Sequence, residues 1–223
     1  MTTVSIVSSS PSFTVSKILC IGRNYADHAK EMKADIPREP VFFLKPPSAI
    51  IGEGQLIRIP PISQELHHEV EMTLLIGKRG KNIPESSSLG HIAGYGIGLD
   101  MTLRDVQAEA KKKGLPWSLA KGFDTSAPLS HFVPPSDVPD PSQLRVELTV
   151  NGELRQKGSL SDLLFPVERL VSYLSQFVTL EAGDVIFTGT PEGVARATPG
   201  DKLQASLLRP DGSRVVSLNV GVA

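Results

Sequence analysis

Three acidic residues carry the first chemical signal in the sequence. Glu69 and Glu71 lie in His67-His68-Glu69-Val70-Glu71-Met72-Thr73-Leu74-Leu75-Ile76, and Asp100 closes Ala93-Gly94-Tyr95-Gly96-Ile97-Gly98-Leu99-Asp100. Side chains of an extended strand alternate between faces, so Glu69, Glu71 and Thr73 share one face and Val70, Met72, Leu74 and Ile76 the other. The second face is apolar enough to be core. The first holds two like charges at neighbouring positions, which repel unless a positive charge lies between them. A divalent cation answers that need, and oxygen-only ligands favour a hard ion such as Mg²⁺, Mn²⁺ or Ca²⁺. Two alternatives stand beside this reading. One is a solvated face with two unrelated glutamates, the ordinary setting of charged side chains. The other is zinc, because His67 is in phase with the glutamates; a single histidine with no partner cysteine makes that the weaker case.

Other residues have spacings that suit catalysis, each with a plainer alternative on an exposed surface. His28 and Glu31 are three apart on an expected helix, within reach of each other. A carboxylate beside an imidazole orients it and raises its basicity, as activation of a water requires. Arg104 and Gln107, three apart just beyond Asp100, could reach a ligand held at the acidic residues, with Arg104 pairing to a carboxylate. The adjoining run Lys111-Lys112-Lys113 reads as a solvated helix face. Lys121, in Leu119-Ala120-Lys121-Gly122, is expected in a loop, where it could stabilise a developing oxyanion. Gly189-Thr190-Pro191-Glu192-Gly193 follows a strand and offers N–H groups and a hydroxyl to an anion; it matches neither a Walker nor a Rossmann pattern.

The elements that must position these groups are short. Residues 17–22 and 41–44 are apolar runs that predict buried strands, the second stopped by Lys45-Pro46-Pro47. Asn24 is placed to cap a helix over 25–32, with Asp27 at capping-box spacing, and the stretch 33–40 is a loop. Strands are expected over 55–60, through Glu69, and over 92–99. Thr102, with Asp105 at the reciprocal position, suits the start of a helix over 103–113 that Gly114 ends. Residues 142–150 alternate as a strand, and Asn151-Gly152 is the strongest hairpin signal in the chain, returning through 153–158. A helix over 166–177 precedes strands at 184–188, 202–208 and 214–220. There are no internal repeats or heptads, and the longest candidate linker, 134–142, is too short to divide the chain.

Composition agrees with one sizeable α+β domain, rich in β structure. Of 223 residues, 40% are hydrophobic and 21% charged, and 19 Gly with 18 Pro favour short strands over long helices. A formal net charge of −1 gives no reason to expect nucleic acid or an anionic membrane as partner. The single cysteine, Cys20, excludes an intrachain disulfide and fits a reducing compartment. The Ser/Thr-rich residues 1–16 lack secretory-signal features and read as a leader into a domain over 17–223.

Taken in order, several segments resemble the fumarylacetoacetate hydrolase family, and its short acylpyruvase and oxaloacetate decarboxylase branch in particular. They are Gly22-Arg23-Asn24-Tyr25-Ala26-Asp27-His28, Phe43-Leu44-Lys45-Pro46, His68-Glu69-Val70-Glu71, Leu99-Asp100-Met101-Thr102-Leu103-Arg104-Asp105-Val106-Gln107, Lys112-Lys113-Gly114-Leu115-Pro116-Trp117 and Phe187-Thr188-Gly189-Thr190-Pro191. The resemblance implies a mixed β-roll, usually a homodimer, cytoplasmic in bacteria and sometimes mitochondrial in eukaryotes. It implies Mg²⁺ or Mn²⁺ held by Glu69, Glu71 and Asp100, and a water-activating pair of His28 and Glu31. Lys121 and Gln107 would face the substrate, with Arg23, Arg104 and Thr190 as further pocket residues, and the segment 28–37 would act as a lid. The longer members' additional N-terminal domain is missing, which argues against fumarylacetoacetate itself as substrate. One departure is Ala195, where close relatives carry glycine.

The expected chemistry is metal-dependent C–C bond cleavage in small 2-oxo acids, either acylpyruvate hydrolysis or oxaloacetate decarboxylation, through a pyruvate enolate. Keto–enol tautomerisation is the near rival, because it needs only enolate stabilisation and a proton shuttle. A non-catalytic 2-oxo acid binding protein is the alternative of a different class.

Overall fold

The computed structural model describes residues 2–7, 12–31 and 35–223. Two five-stranded sheets form its body. The first runs in the order Val41–Lys45, Ile18–Gly22, Val185–Phe187, Val70–Ile76, Ile92–Leu99, with Ile18–Gly22 and Val185–Phe187 parallel and the other pairs antiparallel. The second runs Glu153–Ser159, Arg145–Val150, Lys202–Leu208, Arg214–Val222, Leu56–Ile57. Val70, Met72, Leu74, Ile97 and Leu99 of the first sheet share one core with Val146, Leu148, Leu203, Ala205, Leu207 and Leu218 of the second. Burial of this apolar surface is the main stabilising term. Four α-helices are attached: α1 (Ala26–Glu31), α2 (Arg104–Lys113), α3 (Ser118–Lys121) and α4 (Val167–Phe177). In α4 the buried Val167, Leu170, Val171 and Leu174 recur at helical spacing, as the sequence pattern requires.

The strand through Glu71 departs from the expected arrangement of one buried and one open face, because all of Val70–Ile76 is buried. Its second face is covered by a smaller core that includes Cys20, Leu75, Phe132 and Phe187. The glycines of Ile92–Leu99 make room for that core. Glu71, Thr73 and Leu75 pair in register with Gly98, Gly96 and Gly94, so the three glycines line one side of the sheet while Tyr95, Ile97 and Leu99 line the other. A Cβ on Gly98 would lie 2.7 Å from the Phe187 ring, and one on Gly94 2.9 Å from the Phe132 Cβ. The glycine face ends at Asp100, on the side that holds Glu71.

Several turns follow the sequence closely. Asn151 and Gly152 take φ of 54° and 84°, the left-handed pair of a type I′ hairpin, between strands in register from Val150↔Glu153. Gly114 ends α2 at φ 65°. Other expectations fail for long-range reasons. Asn24 does not cap α1. Its fully buried amide instead bonds the Phe165 and Thr188 carbonyls at 3.0 and 2.8 Å and accepts from the Phe165 N–H at 2.8 Å. Thr102 does not cap α2. It sits in a two-residue strand, Thr102–Leu103, beside Leu66–His68, and its hydroxyl donates to the Asp100 carbonyl. Asp105 is drawn to the Ser63 hydroxyl (2.6 Å) and the Gln64 N–H (2.8 Å). The strand expected over 55–60 shrinks to Leu56–Ile57, and the polar stretch after Lys78 runs into a 3₁₀ helix, Glu85–His91. The helix expected over 25–32 starts at Ala26, after a bridge at Tyr25; its last expected residue, Met32, and the lid residues 32–34 lie outside the described residues. Within the first 16 residues, Thr3–Val4 pairs with Phe13–Thr14, and Val4, Ile6 and Val15 join the smaller core.

If the glycine face exists to admit Phe187, Gly98→Ala should lower unfolding free energy by about 1–3 kcal/mol, the usual cost of overpacking. Gly90→Ala, where a Cβ meets nothing within 4 Å, should change it by less than about 0.5 kcal/mol. Urea titrations of both variants provide the comparison, and equal midpoints would refute the packing argument.

Candidate active site

The acidic residues meet where the first sheet's strands end and the loops after Ile18–Gly22 and Val185–Phe187 part. One carboxylate oxygen from each of Glu69, Glu71 and Asp100 lies within 4.8 Å of the others, and the residues are 5%, 1% and 1% exposed. That burial removes the solvated-face alternative. His67 does not join them: its Nε2 lies 3.3 Å from Glu65 Oε2, which leaves an all-oxygen grouping.

Each carboxylate has a distinct environment. Glu69 accepts from Arg104 Nη2 at 2.5 Å on Oε1 and from Lys121 Nζ at 2.7 Å on Oε2. Burial alone would raise its pKa, but Lys121 and Arg104 outweigh that and hold the carboxyl well below the ordinary range. Asp100 accepts from Lys121 Nζ at 2.7 Å on Oδ2, while Oδ1 lies 2.9 Å from Lys45 Nζ without hydrogen-bond alignment. Glu71 receives the Gly189 N–H at 2.6 Å on Oε2, and its Oε1 has no hydrogen-bond partner among the described residues. Burial first, then the neighbouring Asp100 and Glu69, pushes its carboxyl well above the usual range. A buried, unpartnered carboxylate oxygen beside two other acids is the position where a hard cation would restore the balance.

Lys121 does not lie in a loop. It closes the one-turn helix α3, is 3% exposed, and is raised above an ordinary lysine because Asp100 and Glu69 outweigh the effect of burial. Its ammonium also lies 4.9 Å from the centre of the Phe43 ring.

A narrow cleft opens onto the acids. Its apolar wall includes Ile21, Val41, Phe43 and Trp117, and every other expected residue except Glu31 lines it: Arg23, His28, Arg104, Gln107, Lys121 and Thr190. Glu31 stands behind His28, its Oε2 3.4 Å from His28 Nδ1, while its Oε1 accepts the Gly193 N–H at 3.1 Å. Arg23 adopts φ 59° in the turn from strand to α1, a rare conformation for a side-chain-bearing residue that is associated with functional sites. Arg104 Nη1 donates to Gln107 Oε1 at 2.7 Å. Ala195 pairs with His68 in a short strand and therefore needs no glycine; the turn that does, at φ 91°, is Gly193.

Sequence reasoning missed three supporting residues. Lys45 reads as part of a strand stop, yet it is 1% exposed and donates to the carbonyls of Met101, Ser126 and Lys121 next to Asp100. Its available signal was parity with Phe43, which puts both on the face leading to the site. Gln156, the buried position of an otherwise open strand, accepts from Val70 N–H and contacts His68 Nδ1 at 2.9 Å. It also donates to Thr190 Oγ1 at 2.9 Å. Asn24 fixes the backbone at Thr188, just before the Thr190 loop. Neither residue has a local signal. The run at Lys111 also departs from expectation, because Lys111 borders the cleft.

Residues 17–220 match the family model for the C-terminal domain of fumarylacetoacetate hydrolase. The mitochondrial oxaloacetate tautomerase FAHD1 of Mus musculus is 52% identical over 190 residues, covering 85% of this chain and 86% of its own. Its Arabidopsis thaliana counterpart is 50% identical over 192 residues, covering 86% of each chain. Among solved structures, the fumarylpyruvate hydrolase from Pseudomonas aeruginosa in complex with Mn²⁺ and pyruvate is 39% identical. It superposes with a TM-score of 0.92 over 99% of this chain and 95% of its own. Sequence, fold and the composition of the cleft therefore agree that the chain belongs to the fumarylacetoacetate hydrolase family.

Proposed function

We propose that the protein is a metal-dependent enzyme that acts on small 2-oxo acids through their enolates, with oxaloacetate keto–enol tautomerisation as its first activity. The observation that carries this reading is the buried acidic grouping with its unpartnered Glu71 oxygen, bordered by Lys121 and His28 in one cleft. Glu69, Glu71 and Asp100 would hold Mg²⁺ or Mn²⁺, both of which suit all-oxygen ligands. Bound there, the ion would supply Lewis-acid stabilisation of negative charge on the 2-oxo group.

The chain's own residues would do the rest. Lys121, buried and cationic, would stabilise the enolate oxygen from the wall of the cleft. Gln107 gives its carbonyl to Arg104, which leaves its amide N–H groups to donate to substrate. Thr190 accepts from Gln156, so its own hydroxyl proton is free to donate as well. Arg104 and Arg23 would pair with carboxylate. His28, oriented by Glu31, would carry the proton to and from the carbon next to the carbonyl. The 3.4 Å separation is loose, as catalytic hydrogen bonds often are without substrate.

The relatives at 52% and 50% identity, named as oxaloacetate tautomerases, favour tautomerisation over the cleavage that the resemblance put first. C–C cleavage of an acylpyruvate is the second reading, favoured by the His28–Glu31 pair. In that reaction His28 would take a proton from water as it attacks the distal carbonyl, and the breaking bond would leave the same enolate. Decarboxylation of oxaloacetate would need no attacking water. A homodimer is part of this proposal, supported by exposed Val41, Leu44, Leu115 and Leu119. So is a reducing compartment, cytoplasmic or mitochondrial, supported by a lone, buried, free cysteine and by relatives named as mitochondrial.

Mg²⁺ or Mn²⁺ at a hundred times its dissociation constant should stabilise the fold by about 2.7 kcal/mol. Glu71→Gln should abolish that stabilisation in thermal melts, and an undiminished shift would remove Glu71 from the ligand set. Lys121→Ala should lower kcat for tautomerisation by about 10²–10³, as loss of one oxyanion donor does elsewhere; full turnover would refute its role. With His28→Ala, enol formation and pyruvate release are followed separately. Surviving hydrolysis of acetylpyruvate would contradict water activation by His28, and surviving tautomerisation would contradict its role as proton carrier.

A further inference from the structure

We infer that Lys111 is the residue that selects 2-oxo acids carrying a second, distal carboxylate over those with one. The inference rests on the function proposed above and extends it to the far end of the substrate. Arg104, Gln107 and Lys111 stand at i, i+3 and i+7 on α2, one stripe of a helix, and all three line the cleft. At 1.5 Å per residue, Lys111 is about 10 Å along the axis from Arg104, away from the acidic grouping and toward the cleft mouth.

The cations along this wall differ in what they already bind. Lys121 is engaged by Asp100 and Glu69, and Arg104 by Glu69 and Gln107; Arg23, without a hydrogen bond or ion pair among the described residues, lies in the turn into α1 and not on the α2 stripe. Lys113, two residues on, pairs with Glu109 on the outer face at 2.8 Å. Lys111 makes no hydrogen bond or ion pair among the described residues. Its ammonium is held instead over the Trp117 ring, 5.2 Å from the centroid, which fixes a charge at the rim without neutralising it. Partial desolvation and the guanidiniums of Arg104 and Arg23 pull it below an ordinary lysine, so an added anion there relieves repulsion. Ile21, Val41 and Phe43 line the cleft beside these cations. A 2-oxo acid anchored at the acidic end would lay its carbon chain along that apolar wall and deliver a distal carboxylate to Lys111.

The test uses L-malate and L-lactate, 2-hydroxy acids that differ by one distal carboxylate, titrated calorimetrically into the full-length protein with Mg²⁺. Wild type should prefer malate by about tenfold, and the preference should fall as NaCl rises. Lys111→Met, which keeps an unbranched stem against Trp117, should bring the ratio close to one and remove its salt dependence. Lys111→Arg should restore most of it, and thermal melts would confirm that both variants fold. A wild type that turns over oxaloacetate yet binds the two acids equally would overturn the inference and leave the proposed function standing. Retention of the malate preference by Lys111→Met would overturn it in the same way. Absence of both hydroxy-acid binding and turnover of any 2-oxo acid would overturn the function, and this inference with it.

Discussion

The structure depends on the mutual neutralisation of charges that have been taken out of water. Glu69, Glu71 and Asp100 face Lys45, Lys121 and Arg104, and of these residues only Arg104 keeps appreciable contact with solvent. Burying such ions costs several kcal/mol apiece unless each finds opposite charge and hydrogen bonds, and well-packed apolar residues would often be at least as stable. A fold that retains them therefore gains something other than stability. What it gains is a fixed field: carboxylates that cannot reorient and, in Lys121, an ammonium that stays charged because Asp100 and Glu69 surround it. Glu71 is the member with a carboxylate oxygen that neither a hydrogen bond nor an ion pair reaches among the described residues, and that deficit is what turns a structural ion cluster into a candidate cation site.

Holding this cluster explains why so many unrelated segments end at one place. Glu71 comes from the strand Val70–Ile76, Glu69 from the break just before it and not from the strand that alternation predicts, Asp100 from the end of the neighbouring strand, Lys45 from an edge, Lys121 from α3 and Arg104 from α2. Asn24 ties the start of α1 to the backbone at Phe165 and Thr188, and Gln156 reaches from the second sheet to His68, Val70 and Thr190. These two amides contact no carboxylate of the cluster. They fix the loops whose Gly189 N–H and Thr190 hydroxyl face it, so positional accuracy in the cleft is built by residues outside it.

What could be read from the sequence was whatever has a short period. Alternation placed Glu69 and Glu71 together, helical spacing paired Arg104 with Gln107 and His28 with Glu31, and Asn151-Gly152 announced its hairpin. Misreadings arose where a residue with a familiar local use was claimed by a distant partner. Asn24, Thr102 and Asp105 all have capping chemistry, but each hydrogen-bonds elsewhere, to Phe165 and Thr188, to Asp100, and to Ser63 with Gln64. Lys45 and Lys111 failed differently. A lysine's type says only that it is charged, and whether it is buried, at a rim or in water is settled by the neighbours that the fold supplies. The glycines of Ile92–Leu99 were seen as a glycine-rich run, but that they clear one face for Phe187 and Phe132 depends on a second core with no local signature.

The two halves of the cleft differ in mechanical character, and that difference bears on which reaction prevails. The acids, Lys45 and Lys121 sit on the sheet or are bonded directly to residues at its edge. His28 and Glu31 ride on α1, which is described over six residues. Among the described residues its ties to the rest of the fold are Glu31 to the Gly193 N–H, the Tyr25 bridge to Leu163, and the Asn24 amide that holds its start to Phe165 and Thr188. Enolate stabilisation thus belongs to the sheet and its edge, and proton or water delivery to a helix held at its start and at Glu31. Tautomerisation and C–C cleavage share the first requirement and part at the second. A scaffold of this kind can keep its charge field unchanged while small shifts of one helical turn decide whether His28 meets a substrate carbon or a water molecule.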